Sequence, residues 1–526
     1  MKKRAVFLFT LFSFCLMLLS IRIIAITAQN YSAAAQTGGR KTIELGSSRG
    51  KIYDRNLEPL VDCESRLVAV FTPSVSTKKT LEELFGAQRA DEIIESKRPF
   101  SAEVKSKINN DYIKTFEIPV RYTSSLACQL VGYIDRQTGD GISGIEKGYN
   151  DFLKENGGEL SVSFEVDAAG RVLQGLDKEI RDDNFYSKGG VVLTVDGEIQ
   201  KIAEDALEKS SIESGCAIVM HAHSGEILAL ASAPTFDRNN VAAALKSELS
   251  PLVNKTLCAY SAGSVFKSVI AAYALESGIS EKTSFNCDGK CTVGDTVFTC
   301  YNEKAHGKQT MKQALCNSCN TYFVNLIERL DTDGLLMFCR SLGFEKEAQL
   351  AKNIVGAKGC LPGRESLRLP GERANFSFGQ GKLSVTPVQL AAAYNALSTG
   401  YFTEPTVILG LANENKLVKK AEQKEKRRVL SESTVIKMRK LLSSVVSSGN
   451  AKSAKSVFFK ICGKTGTAQS GIYKSGHEVC RTWFAGFFPA ENPHYVIVVM
   501  NEDGEGGGVE CAPVFKRIAE KIVLGD

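Results

Sequence analysis

The chain has 526 residues, of which 43% are hydrophobic and 24% are charged, which is the composition of a globular protein. This length is too great for one compact core, so we expect two folded domains with connecting segments. The formal net charge of +6, from 65 basic and 59 acidic residues, is small for this length and does not indicate a nucleic-acid-binding protein.

An apolar segment follows the basic N-terminal residues "MKKR". It runs from Ala5 to Ile26 and spans roughly 33 Å as a helix, enough to cross a bilayer. The positive-inside rule places the N-terminus in the cytoplasm and the rest of the chain outside the cell membrane. Residues 5–26 are therefore predicted to be a transmembrane signal anchor. A cleaved signal peptide is the alternative, because the small residues from Ser32 to Gln36 resemble a cleavage site.

The segment after the anchor alternates short strand-like runs with charged helical runs and carries no catalytic motif. The pattern changes at the apolar strand Val191 to Val195, which Asp196 follows as the N-cap of an amphipathic helix. We place the main boundary here, which predicts a first domain at 27–190 and a second at 191–526.

The second domain is predicted to be α/β (α+β). "GCAIVMHAHSGEILALASAP" is typical of a hairpin, and a long stretch of helical pattern separates it from later strands. The remaining predicted elements are strands at Val457 to Thr467, Thr482 to Phe488 and Tyr495 to Asn501, a solvated charged loop at Lys419 to Arg428, and a final helix from Ala512 to Val523. Strands at both ends with helices between them predict one antiparallel sheet covered by helices on both faces.

The first candidate for chemistry is a Ser-x-x-Lys motif. The spacing occurs three times, at Ser48 and Lys51, at Ser76 and Lys79, and at Ser264 and Lys267. Only the third copy begins an apolar helix, where this spacing places both side chains on one face near the free N-H groups of the N-terminus. Ser264 is therefore a candidate nucleophile with Lys267 as its base. The alternative is that Ser264 caps the helix while Lys267 extends to water.

Two further motifs follow in the chain. Ser318 and Asn320 stand two apart in a polar turn, although the same spacing also occurs elsewhere in the sequence. A predicted strand then ends in Lys464 and "TGT". Alternation along that strand places Thr465 and Thr467 on one face, where their hydroxyls are suited to a carboxylate, and Gly466 between them allows another backbone to approach.

In this order the three motifs resemble the signature of the penicillin-recognising serine acyl transferases. The chain is most similar to the class B penicillin-binding proteins, the monofunctional D,D-transpeptidases of peptidoglycan synthesis. "SSRGKIYDRN", "GISGIEKGYNDFL", "FGQGKLSVTPVQLAAAY", "TWFAGFFP" and "GGVECAPVF" carry the resemblance over essentially the whole chain. It implies a penicillin-binding transpeptidase fold with a five-stranded sheet, preceded by a membrane anchor and an elongated pedestal (dimerisation) domain.

The resemblance also implies a mechanism. Ser264 would attack the D-Ala-D-Ala stem peptide, expel D-alanine and pass the acyl group to an amine on a neighbouring stem. Lys267 would act as the base, for which its pKa must fall from about 10.4. A second cation, Lys464, would help to lower that pKa. Ser318 would relay a proton between these lysines and the leaving amine, and Asn320 would hold the substrate amide. Thr465, Gly466 and Thr467 would bind substrate, with the N-H groups of Ser264 and Thr467 as the oxyanion hole.

Two other functions share these motifs. A membrane-anchored β-lactamase would need a dedicated water-activating group, such as a loop carboxylate, and none can be assigned from the sequence. A non-catalytic β-lactam sensor would be expected to have more membrane spans and a cytoplasmic effector. The expected partners are stem peptides, β-lactams and a multi-span glycosyltransferase that supplies the sugar chain, with no nucleic acid.

No cofactor or metal is expected for this chemistry. Cys287, Cys291, Cys316 and Cys319 imitate a zinc ribbon, but this segment is needed for the Ser318 motif. A disulfide among Cys287, Cys291 and Cys300 is the alternative, with the pairing left open. His306 has no convincing partner in the sequence.

Overall fold

The structure is a computed structural model that describes residues 2–37, 39–173, 178–414, 416–422, 424, 426–474 and 476–525. Its strands are β1 (Arg40–Ser47), β2 (Lys51–Tyr53), β3 (Glu64–Phe71), β4 (Phe100–Val104), β5 (Ile113–Val120), β6 (Glu159–Glu165), β7 (Glu179–Asp183), β8 (Gly190–Leu193), β9 (Gly215–His221), β10 (Ile227–Ala233), β11 (Ser284–Cys287), β12 (Lys290–Val293), β13 (Thr296–Thr299), β14 (Gly307–Thr310), β15 (Ala348–Ala351), β16 (Ile354–Gly356), β17 (Tyr401–Thr403), β18 (Ile408–Asn413), β19 (Lys416–Lys420), β20 (Lys426–Arg428), β21 (Cys462–Lys474), β22 (His477–Phe488) and β23 (Tyr495–Asn501).

The α-helices are α1 (Lys2–Thr37), α2 (Lys78–Phe85), α3 (Ala87–Ser96), α4 (Cys128–Val131), α5 (Gly144–Gly148), α6 (Asn150–Glu155), α7 (Gly197–Glu208), α8 (Val241–Ala244), α9 (Lys267–Glu276), α10 (Met311–Cys316), α11 (Asn320–Ile327), α12 (Thr332–Ser341), α13 (Pro370–Ser377), α14 (Pro387–Thr399), α15 (Glu432–Ser448) and α16 (Cys511–Leu524). Short 3-10 helices lie at Val75–Thr77, Lys255–Leu257, Gly263–Phe266, Tyr301–Glu303, Ser366–Arg368 and Lys452–Ala454.

The first helix contains the predicted anchor. Its segment Val6–Ala25 is 20 residues long, exposed, and apolar enough to cross a membrane. Because a membrane would cover such a surface at little cost while water would not, this helix indicates a membrane-anchored protein.

The chain divides into two compact units that alternate along the sequence. The first unit comprises residues 1–49, 62–121 and 154–187, and the second comprises residues 50–61, 122–153 and 188–526. The domain limits predicted from the sequence, 27–190 and 191–526, stay a prediction.

The first unit contains two antiparallel three-stranded sheets. Their strand orders are β1-β6-β7 and β4-β3-β5. One side of β3 contributes Val68 and Val70 to a core with Phe116, while the other side packs Phe71 on the apolar faces of α2 and α3. This alternation of the two faces along β3 follows from the period of two in a strand.

The second unit is built on a five-stranded antiparallel sheet of order β10-β9-β23-β22-β21. The predicted hairpin forms β9 and β10, and the predicted strand Tyr495–Asn501 is β23. Val496 to Met500 are buried on both sides of this strand, which requires cover on both faces of the sheet. α7 and α16 pack on one face, and α14 and α15 pack on the other. The predicted fold class is confirmed.

The strand that carries Lys464 begins later than predicted. The sequence predicts a strand from Val457, whereas β21 begins at Cys462. Val457 and Phe458 are 86% and 59% exposed. These apolar residues lie on the surface before the strand begins. The prediction placed the start of the strand too early because it relied on hydrophobicity alone.

Candidate active site

Ser264 lies in a one-turn 3-10 helix, Gly263–Phe266, that leads directly into α9. In a 3-10 turn the side chains at i and i+3 lie over each other, so Ser264 and Lys267 share one side of the chain. Ser264 is half-buried, and among the described residues no hydrogen bond involves its hydroxyl. The sequence predicts a helix start here, and the structure places the serine one turn before the α-helix.

Glycine is required beside Ser264. Gly263 has a φ of +59°, which favours glycine, and a Cβ there would lie 2.7 Å from the carbonyl oxygen of Thr467. The N-H of Gly263 donates to the carbonyl of Gly379 at 2.8 Å. The Ser264 turn is therefore held against β21 close to Thr467.

Lys267 is fully buried and donates three hydrogen bonds into one loop. Its Nζ lies 2.7 Å from the Ser318 carbonyl oxygen, 3.2 Å from Ser318 Oγ and 2.6 Å from Asn320 Oδ1. Burial lowers the pKa of Lys267 from its usual value to about 7, because the charged form loses its hydration. The lysine therefore exchanges its proton near neutral pH.

The loop that receives Lys267 connects α10 to α11. Ser318 has a left-handed backbone, with a φ of +52°, that turns the chain between the two helices. The Asn320 side chain has its oxygen on Lys267 and its Nδ2 donating to the Thr299 carbonyl at 2.8 Å. Hydrogen bonds on both ends of the amide fix its orientation.

Lys464 reaches the same serine from the sheet. Its Nζ donates to Ser318 Oγ at 3.0 Å and to the Thr465 carbonyl at 3.0 Å, and the side chain is fully buried. Burial first, and then the charge of Lys267, hold the pKa of Lys464 well below its usual value. The Ser318 hydroxyl therefore bridges two lysines, and the charge of Lys267 disfavours the charged form of Lys464.

The strand residues after Lys464 lie against the Ser264 turn. A Cβ on Gly466 would lie 3.0 Å from Val265 Cγ1, so this glycine allows the close approach. Thr465 is buried, with its Oγ1 3.4 Å from Lys464 Nζ, and Thr467 is exposed. The structure thus brings together all eight residues predicted from the motifs.

The penicillin binding protein transpeptidase domain family matches residues 215–520, more than half of the chain. The chain belongs to this family. The predictions of a class B penicillin-binding protein, of its transpeptidase fold and of a serine-type D,D-transpeptidase are confirmed.

Two relatives of this penicillin-binding protein match nearly its full length. Stage V sporulation protein D of Bacillus subtilis is 29% identical over 94% of this chain and 80% of its own. The peptidoglycan D,D-transpeptidase FtsI of Buchnera aphidicola is 27% identical over 97% of this chain and 92% of its own.

Solved structures share the fold. Penicillin binding protein 3 of Mycobacterium tuberculosis, complexed with ampicillin, is 22% identical, covers 92% of this chain and 96% of its own, and has a TM-score of 0.67. A chain from a peptidoglycan synthase complex that coordinates polymerization and crosslinking is 23% identical, covers 98% of both chains, and has a TM-score of 0.72.

Sequence reasoning missed the residues that brace the Ser264 turn of this penicillin-binding protein. The Tyr394 hydroxyl lies 2.9 Å from the Val265 carbonyl oxygen and 3.0 Å from Ser268 Oγ, and Trp483 Nε1 donates to the Ser261 carbonyl at 3.0 Å. Both aromatic side chains are buried. Both residues stand in sequence segments that carry the family resemblance. A buried tyrosine or tryptophan also needs a hydrogen-bond partner, so the sequence could have indicated a role for each of them.

The zinc-ribbon alternative was wrong in its set of residues. Cys287 and Cys319 do approach each other, but with Cys300 and His306 rather than with Cys291 and Cys316. The structure also gives His306 a partner, with its Nδ1 3.3 Å from Cys287 Sγ, where the sequence indicated none. All fifteen cysteines lie in the described part of the chain and are free thiols.

Proposed function

We propose that this transpeptidase cross-links peptidoglycan stem peptides through an acyl-enzyme on Ser264. The observation that carries the proposal is the hydrogen-bonded chain of Lys267, Ser318 and Lys464, which lies one turn from a serine hydroxyl that has no hydrogen-bond partner among the described residues. A serine beside a lysine that is neutral near pH 7 is the arrangement that nucleophilic catalysis needs.

In the acylation step, Ser264 Oγ attacks the carbonyl carbon of the penultimate D-alanine while its proton passes to Lys267. The new C–O bond forms a tetrahedral intermediate. The C–N bond to the terminal D-alanine then breaks, and its nitrogen receives a proton through Ser318, which both lysines contact. The acyl group stays on Ser264, and free D-alanine leaves.

Two backbone N-H groups stabilise the oxyanion of this intermediate. They belong to Ser264 and Thr467, and the close approach of Gly263 to the Thr467 carbonyl supports this pairing. Each such donor contributes about 3 to 4 kcal/mol to the transition state. The substrate lies along β21 as an added strand, with its carboxylate on Thr465 and Thr467 and its amide on Asn320.

In the transfer step, an amine of a neighbouring stem attacks the acyl carbon. Lys267, neutral again, takes the proton of the amine, and Ser264 regains its own proton as the ester C–O bond breaks. The product is a peptide cross-link. β-Lactams acylate the same serine, which the ampicillin complex of the mycobacterial protein supports by analogy.

The polar surroundings favour transfer over hydrolysis. Within the described residues, the hydrogen-bond partners of Lys267, Ser318 and Lys464 include no carboxylate. A β-lactamase needs such a group to activate water and clear its acyl-enzyme. A slowly hydrolysed acyl-enzyme is therefore expected.

We extend the proposal to the cellular arrangement. The N-terminus lies in the cytoplasm, residues 5–26 form the anchor in the cell membrane, residues 27–190 form a pedestal, and residues 191–526 form the extracytoplasmic transpeptidase domain. A multi-span glycosyltransferase supplies the sugar chains, which the synthase complex among the similar structures supports. Exchange of the anchor for an unrelated one should abolish co-purification with that partner, and unchanged co-purification would contradict it.

The test of the central proposal is the position of the penicillin adduct. Mass spectrometry of peptides from penicillin-treated protein should find the label on Ser264. Ser264→Ala should carry no label, whereas Ser76→Ala, which changes another Ser-x-x-Lys copy, should be labelled at the wild-type rate. Label that persists in Ser264→Ala would overturn the assignment.

A second measurement separates the three candidate functions. A transpeptidase releases D-alanine from a stem pentapeptide when an amine acceptor is present, and its penicillin adduct persists for many turnover times. Rapid loss of the adduct would instead identify a β-lactamase. Stable adduct without D-alanine release would identify a sensor.

A further inference from the structure

Four potential metal ligands converge in the second unit, outside the set of residues assigned to catalysis. Cys287 Sγ, Cys300 Sγ, Cys319 Sγ and a ring nitrogen of His306 all lie within 4.8 Å of one another. The three cysteines are buried and the histidine is half-buried. Three thiols and an imidazole with this enclosure are the ligand types of a structural zinc site.

The separations within this cluster match a tetrahedral site. Cys300 Sγ lies 3.7 Å from Cys287 Sγ and 3.8 Å from Cys319 Sγ, and His306 Nδ1 lies 3.3 Å from Cys287 Sγ. Zn–S bonds of about 2.3 Å at tetrahedral angles place sulfur ligands about 3.8 Å apart. A disulfide would join only two of the three sulfurs, at about 2.05 Å.

Three of the four ligands lie at the ends of short strands. Cys287 ends β11, Cys300 follows β13, and His306 precedes β14. β12 and β13 form a two-stranded hairpin in which Phe298 is the buried residue. Because a two-stranded hairpin is marginal in water, a metal that ties its end to the neighbouring strands would contribute directly to its stability.

The fourth ligand lies inside the active-site loop. Cys319 stands between Ser318 and Asn320, the two residues that receive Lys267. Asn320 is also bonded to the Thr299 carbonyl, next to Cys300 in the chain. A metal bound to Cys300 and Cys319 would therefore join the same two chain segments that this hydrogen bond joins.

We propose that Cys287, Cys300, His306 and Cys319 bind one Zn²⁺ ion in a Cys3His site that positions the Ser318–Asn320 loop. Binding releases the three thiol protons, and four protein ligands leave no open position for a substrate or water. The ion is structural, and its ligands are positioning residues. The positioning part of the inference rests on the proposed function, whereas the zinc content does not.

The direct test is the zinc content of the full-length protein, purified in detergent with its thiols reduced. Atomic spectrometry should find one zinc per chain. Cys287→Ser and His306→Ala should lose the zinc. Cys291→Ser, which removes a thiol of the same hairpin outside the cluster, should retain it. Zinc-free wild-type protein, even after zinc is added back, would overturn the inference, as would loss of zinc in Cys291→Ser.

Substitution of cobalt for zinc tests the site in wild-type protein, without a variant that could fail to fold. Wild-type protein stripped of metal and titrated with Co²⁺ should give the visible bands of tetrahedral cobalt and thiolate charge-transfer bands, saturating at one equivalent. An octahedral spectrum would overturn the site. So would a Cys300–Cys319 disulfide, found by mass spectrometry in protein alkylated directly in membranes, because oxidised sulfurs cannot bind the ion.

Penicillin acylation tests the positioning part. Removal of the metal should slow acylation by on the order of 100-fold, since small displacements in an active site have effects of this size. Added zinc should restore the rate in wild type and in Cys291→Ser. Equal rates with and without bound zinc would overturn the positioning role. Zinc-loaded protein that never acylates would instead contradict the proposed function.

Discussion

Two copies of Ser-x-x-Lys adopt the same local structure in very different surroundings. Ser76 and Lys79 lie at a junction of a 3-10 helix with an α-helix, as Ser264 and Lys267 do. Both Ser76 and Lys79 are exposed, and Ser76 Oγ lies 3.3 Å from Ser74 Oγ. Ser264 has no such partner among the described residues, and Lys267 is fully buried.

The difference shows that the local backbone structure of Ser-x-x-Lys does not by itself make the serine a strong nucleophile. A lysine in water keeps its proton at neutral pH, and its neighbouring hydroxyl stays a weak nucleophile. Burial of Lys267 beneath the Ser318 loop supplies the missing condition, because it lowers the pKa of the lysine to about 7. In the proposed mechanism, the surrounding packing is therefore what distinguishes the Ser264 copy from the Ser76 copy.

The largest expected effect comes from Lys267. Lys267→Arg should slow penicillin acylation by about 1000-fold or more, because an arginine stays charged and cannot act as the base. The matched change Lys79→Arg should leave the rate unchanged. Stopped-flow acylation with a fluorescent penicillin measures both. Wild-type rates in Lys267→Arg would mean that burial does not distinguish the two copies.

The Ser318 hydroxyl is expected to have the next largest effect. Ser318→Ala removes the group that bridges Lys267 and Lys464, and acylation should fall by about 100-fold. Ser448→Ala, in another Ser-x-Asn sequence, removes a hydroxyl that donates to the Ser444 carbonyl and contacts the Cys316 thiol rather than either lysine, and it should act as wild type. Rates within a few-fold of wild type in Ser318→Ala would show that the proton does not pass through this serine.

The pH dependence follows from the lowered pKa of Lys267. The neutral lysine is the reactive form, and its folded pKa of about 7 leaves it neutral above that pH. Acylation should therefore fall about tenfold for each pH unit below 7 and level off above it. A rate that keeps rising tenfold per unit well beyond pH 8 would indicate a lysine that behaves as an exposed one. The second-order acylation rate across pH 5 to 9 measures this.

The smallest effects are expected from the loss of one hydrogen bond that stabilises each of the two turns. Tyr394→Phe should lower the free energy of unfolding by about 1 kcal/mol, because the Val265 carbonyl loses a buried partner. It should also slow acylation several-fold. Ser74→Ala removes the cap of the exposed turn, with a similar cost of about 1 kcal/mol, and should leave acylation unchanged. Denaturant unfolding and acylation rates together separate the two, and slowed acylation in Ser74→Ala would contradict the comparison.

Much of the second unit could be predicted from the sequence, because apolar patterns decide buried elements. β23 matches its predicted bounds, and α16 extends the predicted helix by one residue at each end. The charged run Lys419 to Arg428 was predicted as a solvated loop, but its ends belong to β19 and β20. Gln423 and Glu425 in this run lie outside the described residues. Edge strands that carry charges have no apolar alternation to reveal them.

The site could be predicted as a set of residues but not as an arrangement. Order and spacing identified Ser264, Ser318 and Lys464, since each stands in a recognisable element. Order and spacing alone did not indicate that both lysines meet at the Ser318 hydroxyl, because Lys464 stands 146 positions from Ser318. Only the family resemblance implied this contact. The sequence did not indicate the metal-ligand cluster around Cys300 either. Its ligands come from separate strands and a helix start, without the short spacing of a zinc ribbon.

The left-handed backbone of Ser318 places a small strain at the centre of the site. A side chain at a φ of +52° costs about 1 kcal/mol, a cost that glycine would avoid. Ser318→Gly would also remove the hydroxyl that Lys267 and Lys464 share, and taking one partner from these buried amines costs about 1 to 3 kcal/mol. Glycine, which suits this backbone best, would therefore bring no gain in heat resistance here.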